Sequence, residues 1–329
     1  MSELQNILNF RPTLPERKSF EGTLQTAWDS TSLGEIQTCA YKYYLSIICG
    51  FVPTSLSPHL RFGLVYASAI ELYARNRARD LSHEDCILES IRHALTATWE
   101  ARLNRPWASD HLTKNRPMLI RALIEYFDKY TPETENFPAL ILPDGTPAVE
   151  LSFTFETNYK TPFGGNYKIC GHLDRLSESE NRKWVLDQKT TSMPLNAKYW
   201  QQFEVSDQVN LYFFAGQIIF PDRVAGLIID ATQITDKEIN FERREINKTP
   251  AVVEEWYKEV AYWISFAEMC SKQSYWPKNR KSCMKGFMAC EYIEICGKCP
   301  NVRETWMKSG FGKRAGAGWD PLISRDQDA

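Results

Sequence analysis

Three strand-like stretches, arriving in quick succession after Pro143-Asp144-Gly145, limit what this chain can fold into more than any other feature. Val149, Leu151, Phe153 and Phe155 alternate with polar residues, the period-two mark of a half-buried strand. Phe163-Gly164-Gly165-Asn166 reads as a turn and Tyr167 to Ser177 as the returning strand. After the polar stretch Glu178 to Arg182, Lys183 to Thr190 gives a third strand. Asp207 to Phe220 follows as an apolar helix, then Val224 to Ile234 and Ile239 to Ile246 as two more strands. The residues before Pro143 are helical in pattern. Ser30-Thr31-Ser32 offers caps for a helix carrying Leu33, Ile36, Cys39, Tyr43 and Tyr44. Phe62 to Arg79 reads as a second helix, with Leu64, Ala67, Ile70, Leu72 and Tyr73 available to its buried side. Glu84 to Leu103 and Met118 to Tyr130 continue the pattern. Strands, a helix and further strands behind a helical region predict an α+β chain: a mixed sheet flanked by helices.

Composition sets the remaining limits. With 39 Lys+Arg against 41 Asp+Glu the formal net charge is −2, so a nucleic-acid surface has to be a local patch. Hydrophobic residues at 43% exclude a wholly disordered chain. The longest apolar run, Leu211 to Phe220, is too short to span a bilayer, and the N-terminus lacks the basic-then-apolar order of a secretory signal. The expectation is a soluble, cytoplasmic protein with no membrane partner. Along the chain we expect a flexible arm over 1–29, a helical region over 30–145 and a sheet-bearing core over 146–250. A C-terminal helix with a cysteine cluster over 251–309 and a disordered tail over 310–329 complete the division.

The sheet region carries a carboxylate–lysine set. Gly171-His172-Leu173-Asp174 lies on the second strand and Val185-Leu186-Asp187-Gln188-Lys189-Thr190 on the third. Residues two apart on a strand share a face, so Asp187 and Lys189 point the same way, and a neighbouring strand can bring Asp174 beside Asp187. Two carboxylates held together call for a cation, and an oxygen-rich site with few protein ligands suits Mg²⁺ or Mn²⁺. A lysine beside them can stabilise negative charge growing on a phosphate under attack. Taken alone, Asp187-x-Lys189 equally describes a surface ion pair.

These segments, with Gln208-Val209-Asn210-Leu211-Tyr212, resemble motifs II and III and the Gln-x-x-x-Tyr motif of RecB-type PD-(D/E)XK nucleases. The resemblance implies Asp174 and Asp187 as metal ligands, the Gln188 carbonyl as a further ligand and Lys189 as the catalytic lysine. It implies that Gln208 and Tyr212, one helical turn apart, lie near the active site and the DNA; a helix that merely packs Tyr212 into the core has the same pattern. The family's motif-I Gly-x-x-x-His is matched at Phe62-Gly63-Leu64-Val65-Tyr66-Ala67, with Ala67 where the histidine stands. Glu71, one turn further along, either supplies an oxygen ligand in its place or is an exposed helix glutamate.

Nine cysteines with no export signal argue against a disulfide framework. Cys283, Cys290, Cys296 and Cys299 crowd one C-terminal stretch, and Cys39 stands alone near the front. One distant N-terminal cysteine plus three C-terminal ones resembles the iron–sulfur staple of AddB-type and CRISPR-associated RecB-like exonucleases, phage-encoded members most closely. That resemblance implies a structural [4Fe–4S] cluster on Cys39, Cys283, Cys290 and Cys296. The residues alone also allow a local zinc site that uses Cys296-x-x-Cys299 with Cys283 and Cys290.

Basic residues gather locally at Arg75, Arg77 and Arg79 and at Lys278, Arg280, Lys281 and Lys285, with Tyr275, Trp276, Phe287 and Tyr292 interleaved. From these we take Arg75, Lys281 and Lys285 as DNA contacts, although such runs are more often solvated faces. The expected activity is divalent-metal-dependent hydrolysis of DNA phosphodiesters, exonucleolytic and favouring single-stranded ends, in recombination, repair or phage DNA processing. Expected partners are DNA and a recombination, helicase or CRISPR-adaptation protein, in a prokaryotic or phage-infected cell. Two other classes stand beside it: a catalytically weak DNA-end binder and a zinc-stabilised interaction module.

Overall fold

The computed structural model describes residues 18–54, 57–220, 224–285, 288–313 and 319–322. In chain order the main elements are α1 (Ser30–Thr38), α2 (Pro58–Arg77), α3 (His83–Ala97), α4 (Arg116–Lys129), β1 (Val149–Lys160), β2 (Asn166–Ser179) and β3 (Arg182–Thr191). These are followed by α5 (Ala197–Glu204), α6 (Asp207–Ile219), β4 (Val224–Ile234), β5 (Ile239–Ile246) and α7 (Pro250–Gln273). The chain divides into two units, each assembled from separate stretches.

One unit holds Leu56–Leu151 and His172–Pro250. Its sheet places β3 between the C-terminal half of β2, which runs antiparallel to it, and β4, which runs parallel. Strand β5 closes the outer edge antiparallel to β4. The β2–β3 hairpin turns on Glu180 and Asn181, both at positive φ (53° and 60°). Two left-handed residues in a two-residue loop are what the twist of a tight hairpin asks for. Gly226 in β4 is a close approach, because a Cβ there would lie 2.8 Å from Asn247 Oδ1 and 3.0 Å from the Trp184 ring.

Helices α2, α3 and α4 bury one shared core. Phe62, Tyr66, Ala69, Ile70 and Tyr73 of α2 cluster with Leu119, Leu123, Tyr126 and Phe127 of α4 and with Ile234 and Ile239 at the ends of β4 and β5. The buried stripe of α2 therefore differs from the expected one. Leu64, assigned to the core from the sequence, is 50% exposed, and Ala67 lies at the margin. The aromatic series Phe62, Tyr66 and Tyr73 takes the inner face because its larger rings bury more apolar area.

The other unit holds Met1–Ser55, Ser152–Gly171 and Ala251–Ala329. Residues 20–28, read from the sequence as part of a loose arm, form short strands, and Ala27–Trp28 pairs in parallel with Lys168 and Ile169 of β2. Trp28 is fully buried and stacks on Tyr43 with ring centroids 5.6 Å apart, apolar burial that an arm would forfeit. The rest of the expected arm, residues 1–17, lies outside the described residues. Within the expected tail, Phe311–Lys313 pairs antiparallel with Phe51–Pro53 and Trp319 Nε1 donates to Ser32 Oγ at 3.2 Å. Residues 314–318 and 323–329 lie outside the described residues. Helix α1 is capped by Asp29, whose carboxylate accepts from Ser32 N, and ends at Thr38. Cys39 breaks the expected longer helix in extended backbone (φ −168°, ψ 116°) before a second short helix, Ala40–Tyr43.

Candidate active site and metal centre

Strand β3 carries chemistry on both faces. On one, Lys189 Nζ lies 2.5 Å from Asp187 Oδ2, and the Asp187 side chain is 1% exposed. The two residues share a face, as their spacing predicts. The last antiparallel pair between β2 and β3 is Arg175 with Leu186, the residues next to Asp174 and Asp187 on their strands. There the ladder gives way to a different bond: Gln188 N donates to Asp174 Oδ2 at 3.0 Å. A side-chain carboxylate thus takes the place of a main-chain acceptor, and Asp174 is held at the point where the strands part.

Three carboxylates meet around Asp174. One oxygen each from Glu71 of α2, Glu150 of β1 and Asp174 of β2 lies within 4.8 Å of the others. Glu71 was an open choice in the sequence, and it joins this trio. Glu150 was missed. In sequence it is one polar residue within an alternating strand, but its backbone sits at φ 55°, in the left-handed region that β-strand residues avoid. A non-glycine residue there stores on the order of 1–2 kcal/mol. Three anionic oxygens at such spacing repel one another unless a proton or a cation intervenes. Their hard donor character fits Mg²⁺ or Mn²⁺.

The other face of β3 is closed by matched charges. Gln188 Nε2 donates to Tyr126 Oη and to Asp230 Oδ2, both at 2.9 Å, so the Gln188 side chain points away from the Asp187–Lys189 pair. Asp230 Oδ2 also accepts from Tyr126 Oη at 2.6 Å and pairs with Arg243 Nε at 3.1 Å. Arg243 holds Glu135 through two bonds, at 2.5 and 2.9 Å, and Arg175 lies 3.8 Å from the same carboxylate. Burial alone would raise the Glu135 carboxyl, but the hydrogen bonds from Arg243 and the charges of both arginines hold it below the usual range. Sequence reading had no access to this network, since Glu135 and Arg243 are 108 residues apart.

Gln208 and Tyr212 share a face of α6 and bond each other, Nε2 to Oη, at 2.9 Å. Tyr212 is buried, and Tyr199 of α5 senses the Asp187 charge after its own burial. Arg75 lies on α2 and is half-buried; Lys281 is exposed; Lys285 belongs to a short strand, Met284–Lys285, and its side chain is outside the described residues, as is Phe287.

The cysteines gather within the other unit. Cys39 Sγ accepts from Asn279 N at 3.3 Å, Asn279 Nδ2 donates to Thr38 O, and Tyr41 N donates to Pro277 O. Cys290 N donates to Cys283 O at 2.9 Å, and Lys278 Nζ to Cys296 O at 3.1 Å. The Cys296 thiol is pushed up to about 11, first by burial and then by its neighbours Cys39, Cys283 and Cys290, against the pull of Lys278. All four cysteines singled out in sequence lie in this unit, with Cys39 held against Asn279, four residues before Cys283. Cys299 is exposed. Four sulfur donors suit either an iron–sulfur cluster or zinc.

Among the described residues no helix is long and apolar enough to cross a membrane. A crystal structure of an Eubacterium rectale protein, provisionally described as an exonuclease, is similar at 10% identity, covering 83% of this chain and 93% of that one, with a TM-score of 0.47. The crystal structure of SSO0001 is 16% identical over 54% of this chain and 86% of its own, with a TM-score of 0.24. No curated protein matches. The family model described as the PD-(D/E)XK nuclease superfamily matches residues 29–297, which takes in both units and every acidic residue of the site. The chain belongs to the PD-(D/E)XK nuclease superfamily.

Proposed function

We propose that this nuclease hydrolyses DNA phosphodiesters with a divalent cation held by Glu71, Glu150 and Asp174, and that it works from DNA ends, favouring single strands. The observation that carries this reading is the meeting of those three carboxylates, one of which, Asp174, accepts from the amide of Gln188 between Asp187 and Lys189. A bound Mg²⁺ or Mn²⁺ supplies positive charge to a phosphate under attack and makes water a better nucleophile. Lys189 donates to the phosphate oxygens or the incoming water, and Asp187, buried against it, fixes the ammonium. Asp187 also stands one strand away from Asp174 and is a further candidate ligand. The Gln188 amide holds Asp174 in place, and its side chain ties β3 to the matched network behind, so the carbonyl of Gln188 is offered from a fixed strand. Gln208, bonded to the buried Tyr212, is offered to the DNA, with Arg75 as a phosphate contact of this unit and Lys281 as one of the other.

Cys39, Cys283, Cys290 and Cys296 are proposed to hold a structural [4Fe–4S] cluster, with zinc as the alternative occupant. The hydrogen bonds that join residues 38–41 to 277–279 support this, since they bring the segment of Cys39 to the one that leads into Cys283. DNA recombination, repair or phage DNA processing are the settings such an activity serves.

Cleavage of end-labelled single- and double-stranded DNA in Mg²⁺, in Mn²⁺ and in EDTA tests the reading. Wild-type protein is expected to cut with either cation and not in EDTA, while Asp187→Ala and Lys189→Ala are folded and inactive. Unchanged turnover in either variant would sink the assignment. Tight DNA binding without cleavage in both cations would instead identify a DNA-end binder, in keeping with Ala67 at the motif-I histidine position.

A further inference from the structure

Helix α2 begins with Ser57 as N-cap, its Oγ accepting from Leu60 N at 3.1 Å, and Pro58 in the first turn. The amide end of a 20-residue helix carries partial positive charge and attracts anions, but that is true of any helix start. What sets this one apart is Lys114. The residue is 2% exposed, and its ammonium has no hydrogen-bond partner among the described residues. Its contact is the face of Phe62, early in α2, with Nζ 4.5 Å from the ring centroid. Burial without an anion pulls this amine down to about 8. Its positive charge is felt by His59 in the first turn of the same helix, whose imidazole is lowered by burial and then by His111 and Lys114.

Two imidazoles complete the set. His59 is exposed, and its ring meets that of His111 edge-to-face with centroids 4.6 Å apart. His111 Nδ1 accepts from Thr113 N at 3.2 Å and Lys114 N at 3.1 Å, which leaves the ring proton on Nε2 as a donor. Glu100 is paired with Arg61 and Arg105, and Asp110, the residue before His111, is exposed. A buried ammonium therefore stands with two imidazoles at the start of α2, where Ser57 already caps Leu60 N. Such a set is costly to fold and suits a tetrahedral oxyanion.

We propose that Lys114, His59 and His111 at the start of α2 form a phosphate-binding subsite for the DNA strand, apart from the scissile phosphate. This rests on the nuclease reading and extends it. The placement suits a strand crossing the active site. Gly63 stands against Thr190, the residue after Lys189, with a Cβ at Gly63 falling 3.6 Å from Thr190 Oγ1. From Phe62 to Glu71 the helix advances by about 13 Å at its regular rise. His59 of the subsite and Glu71 of the carboxylate trio therefore lie on the same helix, the one in its first turn and the other further along it. The flexible lysine stem can carry the ammonium outward to meet the anion.

The test uses the full chain, in Ca²⁺ to read binding without turnover, and two dye-labelled oligothymidylates, one with a 5′-phosphate and one with a 5′-hydroxyl. Affinity is measured across a salt series for wild type, Lys114→Met and His59→Ala. Lys114→Met removes a buried unpaired amine with little change of shape, so it should fold at least as well, which a parallel thermal melt checks; His59→Ala alters only an exposed side chain. The expected result is binding about 3- to 10-fold weaker in Lys114→Met, with a salt slope reduced by roughly one. A smaller loss is expected in His59→Ala. A loss confined to the 5′-phosphorylated strand assigns the subsite to a terminal phosphate, and a loss with both strands assigns it to a backbone diester. Unchanged affinity and slope in both variants, with wild type binding DNA, would overturn the subsite alone. Failure of wild type to bind either strand would overturn the nuclease reading and the subsite with it.

Discussion

Two groups of acidic residues in the same unit handle charge in opposite ways. Behind β3, Asp230 and Glu135 are matched with Arg243 and Arg175, and Tyr126 and Gln188 bond into the gaps. Around Asp174, three carboxylates are brought together instead, one of them on a left-handed backbone. Matched charges make a rigid, inward-looking element whose worth is structural. Gathered carboxylate oxygens of this kind could share one divalent cation. The contrast separates scaffold from site without appeal to motif.

Breaking the matched group should have the largest effect on stability. Arg243→Met leaves Asp230 buried without its cation and Glu135 with Arg175 alone, and we expect a loss of about 3–5 kcal/mol in urea unfolding. A loss below about 1 kcal/mol would mean that the network is not matched in the sense argued. Asp174→Asn should do the reverse. The amide still accepts from Gln188 N, so the melting temperature should hold or rise, while DNA cleavage falls roughly 10³-fold. A destabilised but active Asp174→Asn protein would erase the distinction between the two groups.

Lys114 sharpens the comparison from the cationic side, as a charge neither matched nor gathered. Its folded-state amine titrates near 8, whereas the unfolded chain holds its proton to about 10.5. Between those values the unfolded chain binds more protons, so raising the pH favours the fold; below 8 the penalty is fully present. The stability gap between Lys114→Met and wild type should therefore shrink across pH 8 to 10.5, by up to roughly 3 kcal/mol. A gap that does not change with pH would show that the amine pays no penalty for burial. The smallest expected effect is that of Gly226→Ala, which forces a Cβ against Asn247 and Trp184 and should cost about 1–3 kcal/mol without altering metal binding.

What the sequence could and could not reveal follows from the range of each signal. Asp187 and Lys189 were legible because strand periodicity is local, and the β4 and β5 limits were legible because an apolar strand stands out between polar ends. Glu150 was hidden: alternation assigns it to solvent, and only its positive φ and the neighbouring β2 strand turn it to account. Glu135 and Arg243 were hidden because no local rule connects residues more than a hundred apart. The short helix break at Cys39 was read as continuous helix, since its cause, Asn279 N reaching the thiol, lies 240 residues away. Trp28 and Phe311 were assigned to loose ends because their partners, Tyr43 and Tyr292, come from distant or separate segments.

The central claim is that the gathered carboxylates hold a divalent cation. Mn²⁺ binding, followed by electron paramagnetic resonance on wild type, Glu150→Gln, Asp174→Asn and Arg243→Met, tests it without relying on activity. The account predicts Mn²⁺ bound by wild type, binding weakened at least about 10-fold in the first two variants, and binding retained in whatever fraction of Arg243→Met remains folded. Wild-type protein that binds no Mn²⁺, or binds it equally well without Glu150 and Asp174, would contradict it.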